Sequence, residues 1–201
     1  LSNGDALFSS RTYGLYKYNS SDNSISQIYD KGYSWRKVLN LKNGKIMLST
    51  SVAYGILIYD ETTNEINSFI SSKKVGMFHE ISNGNVFISG NSVTSIYLYD
   101  IEKNETISVF SGGFSWENYF ELLNKNVLIS SSYQSNLGIL LYDNITNTAT
   151  KIYDEGFDWN TFVEDENGVT ISSSVNVDQG KVYYDFETGT VTPIEEESEL
   201  W

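Results

Sequence analysis

Residues 43–50 read Asn-Gly-Lys-Ile-Met-Leu-Ser-Thr, and residues 55–64 read Gly-Ile-Leu-Ile-Tyr-Asp-Glu-Thr-Thr-Asn. A turn, an apolar run closing on Ser49, a second apolar run closing on Tyr59 and a second turn follow one another. The same succession recurs along the chain. Tyr18, Tyr59, Tyr99, Tyr142 and Tyr184 are spaced by 41, 40, 43 and 42 residues. The next residue is Asp60, Asp100, Asp143 or Asp185, with Asn19 in the first copy, and five residues after each Tyr stands Asn23, Asn64, Asn104, Asn147 or Gly189. Asp favours turn starts, and Asn and Gly tolerate a left-handed backbone, so this is a hairpin loop of fixed length repeated five times.

Two further landmarks travel with it. Asn3-Gly4, Asn43-Gly44, Asn83-Gly84 and Asn167-Gly168 are type I′ hairpin signals, and the fourth copy has Asn124-Lys125-Asn126 instead. Each precedes a short strand ending in Ser9, Ser49, Ser89, Ser130 or Ser172. Twelve residues after the Asn/Gly position stands Trp35, Trp116, Trp159 or Trp201; the second copy is one residue short and has Val75. Three of these Trp residues end a Gly-aromatic-x-Trp motif that begins Gly32-Tyr33, Gly113-Phe114 or Gly156-Phe157.

Each unit therefore holds four short strands. In the second copy they are expected at about Lys37–Leu41, Lys45–Ser49, Ile56–Tyr59 and Glu65–Ile70. No segment keeps a 3.6-residue apolar period for three turns, so no helix is expected. Four-stranded units of ~40–45 residues are propeller blades. The chain resembles a five-bladed β-propeller of four-stranded antiparallel blades, an all-β fold, in a single domain over 1–201. The five residues equivalent to Arg36–Asn40 are missing before Leu1, so the first blade is expected to lack most of its inner strand. Ring closure is expected to bring Ser198–Trp201 beside Leu1–Ser9, with Trp201 in the role of Trp35.

Composition narrows the function. The chain has 201 residues, 13 Lys plus Arg and 26 Asp plus Glu, for a net charge of −13. That balance argues against nucleic acid or an anionic membrane as partner. No apolar run is long enough to span a bilayer, so no membrane insertion is expected. Cysteine is absent, which removes disulfides, thiolate nucleophiles and Cys–zinc sites. His79 is the single histidine, no Gly-x-Ser-x-Gly elbow occurs, and Asp165-Glu166 in a turn lacks the ligand count calcium needs. Neither a cofactor nor a metal is expected, and the chain reads as non-enzymatic. The start at Leu1 without Met suggests a processed protein or an excised domain, and an extracellular or cell-surface setting is the expectation.

Blade connections alternate between two faces. The loops joining strands two and three carry Tyr13, Tyr54 and Tyr133. The loops leading into the next blade carry Tyr33, Phe114 and Phe157 together with Glu117 and Asp158. Aromatic faces stack on sugar C–H surfaces while carboxylates and amides bind hydroxyls, so these eight residues form the candidate carbohydrate site. The same pattern also suits a protein ligand. The repeated Trp residues read first as packing between blades, and the Tyr set as structural. A glycosidase would need a pair of carboxylates, with Glu117 and Asp158 as the candidates.

In repeat number and ring plan the chain is similar to the five-bladed lectins of the tachylectin type, which implies repeated sugar sites but no residue-by-residue match. The blade form seen in Asn43–Thr50 with Gly55–Asn64 also resembles bacterial extracytoplasmic YVTN-type and sensor propellers. That resemblance implies the fold and an extracellular setting. The alternative function is a protein-interaction or structural propeller of a larger cell-surface protein.

Overall fold

The computed structural model describes residues 1–10, 12–31, 35–50, 55–70, 77–90, 94–113, 115–132, 137–156, 158–173 and 180–194. All regular structure among them is β: β1 (Ala6–Ser10), β2 (Gly14–Asn19), β3 (Ser24–Tyr29), β4 (Trp35–Asn40), β5 (Lys45–Thr50), β6 (Ile56–Asp60), β7 (Glu65–Ile70), β8 (Met77–Glu80), β9 (Val86–Ser89), β10 (Ser95–Asp100), β11 (Glu105–Ser111), β12 (Trp116–Glu121), β13 (Val127–Ser131), β14 (Ile139–Asp143), β15 (Thr148–Tyr153), β16 (Trp159–Glu164), β17 (Gly168–Ser173), β18 (Lys181–Asp185) and β19 (Val191–Ile194). They form five sheets in chain order. Four have four strands, β4–β7, β8–β11, β12–β15 and β16–β19; the first has three, β1–β3, among the described residues. No helix among the described residues is long and apolar enough to cross a membrane.

The chain divides into two compact units, residues 1–93 with 98–107 and residues 94–97 with 108–201. In the first, Leu15, Ile46, Leu48, Leu57 and Tyr59 form a core. In the second, Leu122, Leu128, Ile139, Trp159, Val169 and Ile171 do so. The two middle strands of a complete sheet are covered on both faces, which is why β5, β6 and β13 read as continuous apolar runs rather than alternating ones. The inner strands are only half-buried, as in β12 and β16.

The loop after each third strand is as read. Asn23, Asn64, Asn104 and Asn147 have φ of 55–59°, and Gly189 has 68°. Each Asn also accepts the phenol of the Tyr five residues before it, at 2.6 Å from Tyr18, 2.9 Å from Tyr59, and 2.8 Å from Tyr99 and from Tyr142. Asp60, Asp100, Asp143 and Asp185 accept backbone N–H groups two or three residues on. These bonds hold the carboxyls of Asp100, Asp143 and Asp185 below the usual carboxylate range, and the Thr62 hydroxyl, with the Thr62 N–H second, does so for Asp60.

The other turn differs from expectation. Gly4, Gly44 and Gly84 have φ of 81–93°, but the Asn before each does not enter positive φ. A type I′ turn needs both residues there. Instead Gly44 N–H donates to Leu41 and Leu41 N–H to Lys45, a turn closed by a left-handed glycine. Lys125 fills the glycine position at φ 73°. Asn167-Gly168 is not this turn: Gly168 opens β17, and a Cβ there would sit 2.2 Å from the Tyr184 carbonyl oxygen. The Asp165 carboxylate closes the shortened hairpin through the N–H groups of Asn167 and Gly168. Inner strands begin at Trp itself, at Trp35, Trp116 and Trp159, two residues earlier than expected. The expected seat of Trp201 lies outside the described residues.

Candidate functional site

Three inner strands open with the same device. The ladder slips between Trp35 and Lys37, between Trp116 and Asn118, and between Trp159 and Thr161. The residue after each Trp, namely Arg36, Glu117 or Asn160, is therefore a bulge, and a bulge re-aims its residue away from the regular alternation. The residue before Trp is left-handed where it is described, Ser115 at φ 61° and Asp158 at φ 57°. Non-glycine residues are uncommon in that region, Asp less so than most. Between these two positions the Trp is driven inward: Trp116 and Trp159 are 0% and 1% exposed.

The indoles are anchored at both ends. Trp116 Nε1 donates to Gly112 O at 3.0 Å and Trp159 Nε1 to Glu155 O at 3.2 Å, four residues back in each case. Their rings meet the last aromatic of the preceding sheet edge-on, Phe110 at 5.5 Å and Tyr153 at 5.9 Å, and Tyr29 meets Trp35 likewise at 6.1 Å. The repeated Trp is thus packing between successive sheets.

In two sheets the serine near the end of the second strand bonds beside the bulge. Ser49 Oγ accepts Lys37 N–H at 3.2 Å, the group next to the slip. Ser130 Oγ accepts Asn118 Nδ2 at 3.3 Å and donates to the Trp159 carbonyl of the following sheet. Both serines are fully buried.

In the second unit these bonds bring two loop sets together. Asp158 N–H donates to Ser131 O at 2.7 Å, Ser132 N–H to Ser115 O at 3.0 Å, and Gly138 N–H to Gly156 O at 3.1 Å. The segment 130–132 thus lies between the Ser115–Asn118 strand start on one side and Asp158–Trp159 on the other. Glu117 and Asp158 both border it, and both are half-buried. Asn160 Nδ2 reaches Asp158 Oδ1 at 3.4 Å. The result is a row of carboxylate and amide groups, Glu117, Asp158 and Asn160, set around the buried Ser115, Ser130 and Ser131.

Of the residues expected at the site, Glu117 and Asp158 therefore share one neighbourhood. Tyr13 lies in the first unit, 66% exposed at the turn after β1, with its N–H bonded to Ser10 Oγ at 3.1 Å. Tyr33, Tyr54, Phe114, Tyr133 and Phe157 lie outside the described residues. Asn160 joins the row, while Ser115 is buried; the polar residue directly after each Trp, Arg36, Glu117 or Asn160, was the signal for the bulge. Among the described residues no group of three or more His, Asp or Glu side chains is placed to hold a metal ion.

No family model matches the chain, and no curated protein matches it. Solved structures do. Virginiamycin B lyase from Staphylococcus aureus superposes at a TM-score of 0.55 with 9% identity, over 99% of this chain and 69% of the lyase. Hydrazine synthase from Kuenenia stuttgartiensis gives 0.53 with 7% identity, over 92% and 61%. The extracellular domain of a one-component system from B. thetaiotaomicron gives 0.51 with 11% identity, over 94% and 27%. The chain spans 25–27% of the length of the B. thetaiotaomicron sensor domains it matches. With its five antiparallel sheets in chain order, the chain has the all-β, five-bladed β-propeller fold, similar to bacterial extracellular sensor and lyase propellers.

Proposed function

We propose that the chain is a non-enzymatic binding module whose ligand is carbohydrate, held by the loop face that carries Asp158, Asn160 and Glu117. The observation that carries this reading is the pairing of Asp158 and Asn160 on either side of the buried Trp159, one left-handed and one at a bulge. That geometry fixes a carboxylate and an amide on rigid backbone, which suits two neighbouring hydroxyls of a sugar ring. The aromatic residues of the same loops, Tyr33, Phe114, Phe157, Tyr54 and Tyr133, with Tyr13, supply the stacking surface in this reading. The extracellular B. thetaiotaomicron neighbour supports an extracellular or cell-surface setting.

A glycan array followed by calorimetry tests the proposal. Binding that weakens at least ~10-fold in Asp158→Ala and Asn160→Ala is the expected result. No sugar bound at millimolar concentration overturns it.

A further inference from the structure

We infer that Asn167 is a self-modification site, at which the Gly168 nitrogen displaces the side-chain amide and leaves an aspartate or isoaspartate in the turn between β16 and β17. The sequence holds four Asn-Gly pairs, Asn3-Gly4, Asn43-Gly44, Asn83-Gly84 and Asn167-Gly168. In such a pair no Cβ shields the glycine nitrogen, which leaves it able to reach the Asn carboxamide carbon. All four Asn residues are exposed, so solvent access does not separate them. Their hydrogen bonds do.

In three pairs the Asn side chain is tied down. Asn3 Oδ1 accepts Asp5 N–H at 3.0 Å, Asn43 Oδ1 accepts Lys45 N–H at 3.1 Å, and Asn83 Oδ1 accepts Asn85 N–H at 2.9 Å. Asn3 and Asn43 also donate through Nδ2, to Asp5 Oδ2 at 2.9 Å and to Ile101 O at 3.4 Å. Closing the carboxamide onto the glycine nitrogen has to break these bonds. The Asn167 carboxamide makes no hydrogen bond among the described residues, so its closure breaks none. The fold keeps the reactive pair because Gly168 admits no side chain, a Cβ there lying 2.2 Å from the Tyr184 carbonyl oxygen.

The nucleophile differs as well. The N–H groups of Gly4, Gly44 and Gly84 donate to the main-chain carbonyls of Leu1, Leu41 and Ile81, which do not take up a proton. Gly168 N–H donates to the Asp165 carboxylate, Oδ1 at 2.9 Å, within the reach of a general base. The same oxygen accepts Asn167 N–H at 2.8 Å and the Tyr183 hydroxyl at 3.3 Å, and these bonds hold it in place. As the bond from Gly168 N to Asn167 Cγ forms, Asp165 takes the N–H proton and returns it to Nδ2. The Cγ–Nδ2 bond breaks and ammonia leaves. Water then opens the cyclic imide at either carbonyl. Opening at Cγ gives aspartate. Opening at the main-chain carbonyl gives isoaspartate, and its new carboxylate arises at the oxygen that accepts Phe186 N–H.

Peptide mapping by mass spectrometry, on the folded chain held at mildly alkaline pH, tests this. Asn167 is expected to convert at least ~10-fold faster than Asn3, Asn43 or Asn83. In guanidinium chloride, where the fold no longer sets the geometry, the four rates are expected to converge. Asp165→Asn keeps an oxygen to accept both N–H groups but removes the base. It is expected to slow Asn167 at least ~10-fold in the folded chain and to leave the other three pairs unchanged. An Asp165 that only braces the turn gives the opposite result, because a loosened turn converts faster. Asn43 or Asn83 converting as fast as Asn167 in the folded chain overturns the inference. So does a lead of Asn167 that persists undiminished in denaturant, or an Asp165→Asn variant as fast as the parent. The comparison among the four pairs needs only the parent chain, so it decides the matter even where the variant fails to fold.

Discussion

Ser9 and Ser130 hold the same register position, opposite the first apolar residue of the third strand, yet Ser9 is exposed and Ser130 is fully buried. The difference follows from one strand. In the fourth sheet β12 lies along β13, its bulge turns Trp116 inward, and Ser130 accepts the Asn118 side-chain amide beside that bulge and donates to the Trp159 carbonyl of the next sheet. In the first sheet no such strand is described, and Ser9 makes no such bond among the described residues. The third sheet lies between the two: Ser89 is fully buried although its inner strand β8 pairs without a slip.

The largest test of this contrast is Trp116→Ala. A fully buried indole with a hydrogen bond and an edge-on partner is removed, and a loss of about 4 kcal/mol is expected by chemical denaturation. Phe8→Ala in the first sheet, at 43% exposure, is expected to lose less than half of that. A Phe8 effect as large as that of Trp116 would show that the first sheet is as fully packed as the fourth.

Ser130→Ala is the next in size. It leaves a buried carbonyl and an amide short of a partner, for about 1–3 kcal/mol, whereas Ser9→Ala is expected within about 0.5 kcal/mol of the parent. Equal effects at the two positions would break the comparison. In the opposite direction, Lys125→Gly is expected to stabilise by about 1 kcal/mol, because Lys125 takes the left-handed backbone that Gly4, Gly44 and Gly84 take elsewhere.

The smallest effect concerns acid. The lowered carboxyl of Asp143 accepts the N–H groups of Thr146 and Ile145. Its contribution is present above the ordinary value of 3.8 and is lost as the pH falls through the lowered folded value. The first sheet uses Asn19 at this position, with Ser21 N–H at 3.0 Å, and does not titrate there. Asp143→Asn is expected to leave stability at neutral pH nearly unchanged and to flatten part of the loss below pH ~4. An acid profile identical to the parent's removes this turn from the acid response.

The repeat made most of the fold legible, because its landmarks are residues with few conformational alternatives. Asn23, Asn64, Asn104, Asn147 and Gly189 are all left-handed as read. Where an element depended on neighbours, local reading went astray. Asn43-Gly44 has the composition of a type I′ turn, but the ladder takes one more residue and leaves only the glycine left-handed. Asn167-Gly168 has the same two letters inside a hairpin one residue shorter, where Gly168 is needed for close approach rather than for φ. At the candidate site, Glu117 and Asp158 were chosen for their chemistry. Their common neighbour, the segment 130–132, comes from backbone bonds between loops far apart in sequence, and single residues do not announce such bonds.

The phenol-to-amide bond from each third-strand Tyr to the Asn five residues on spans a loop that is short and wholly local. Contacts so close in sequence close on the microsecond scale of hairpins, well before distant strands can meet. Each outer hairpin is therefore expected to form early, and so is each inner hairpin, whose turn is nearly as short: Asn40 pairs with Ile46 and Glu121 with Val127. Glu117, Asp158 and Asn160, by contrast, sit where separate loops are joined, Asp158 to Ser131 and Ser132 to Ser115, and such distant bonds are expected to close after the hairpins. The candidate binding row is thus expected to assemble on hairpins that already exist.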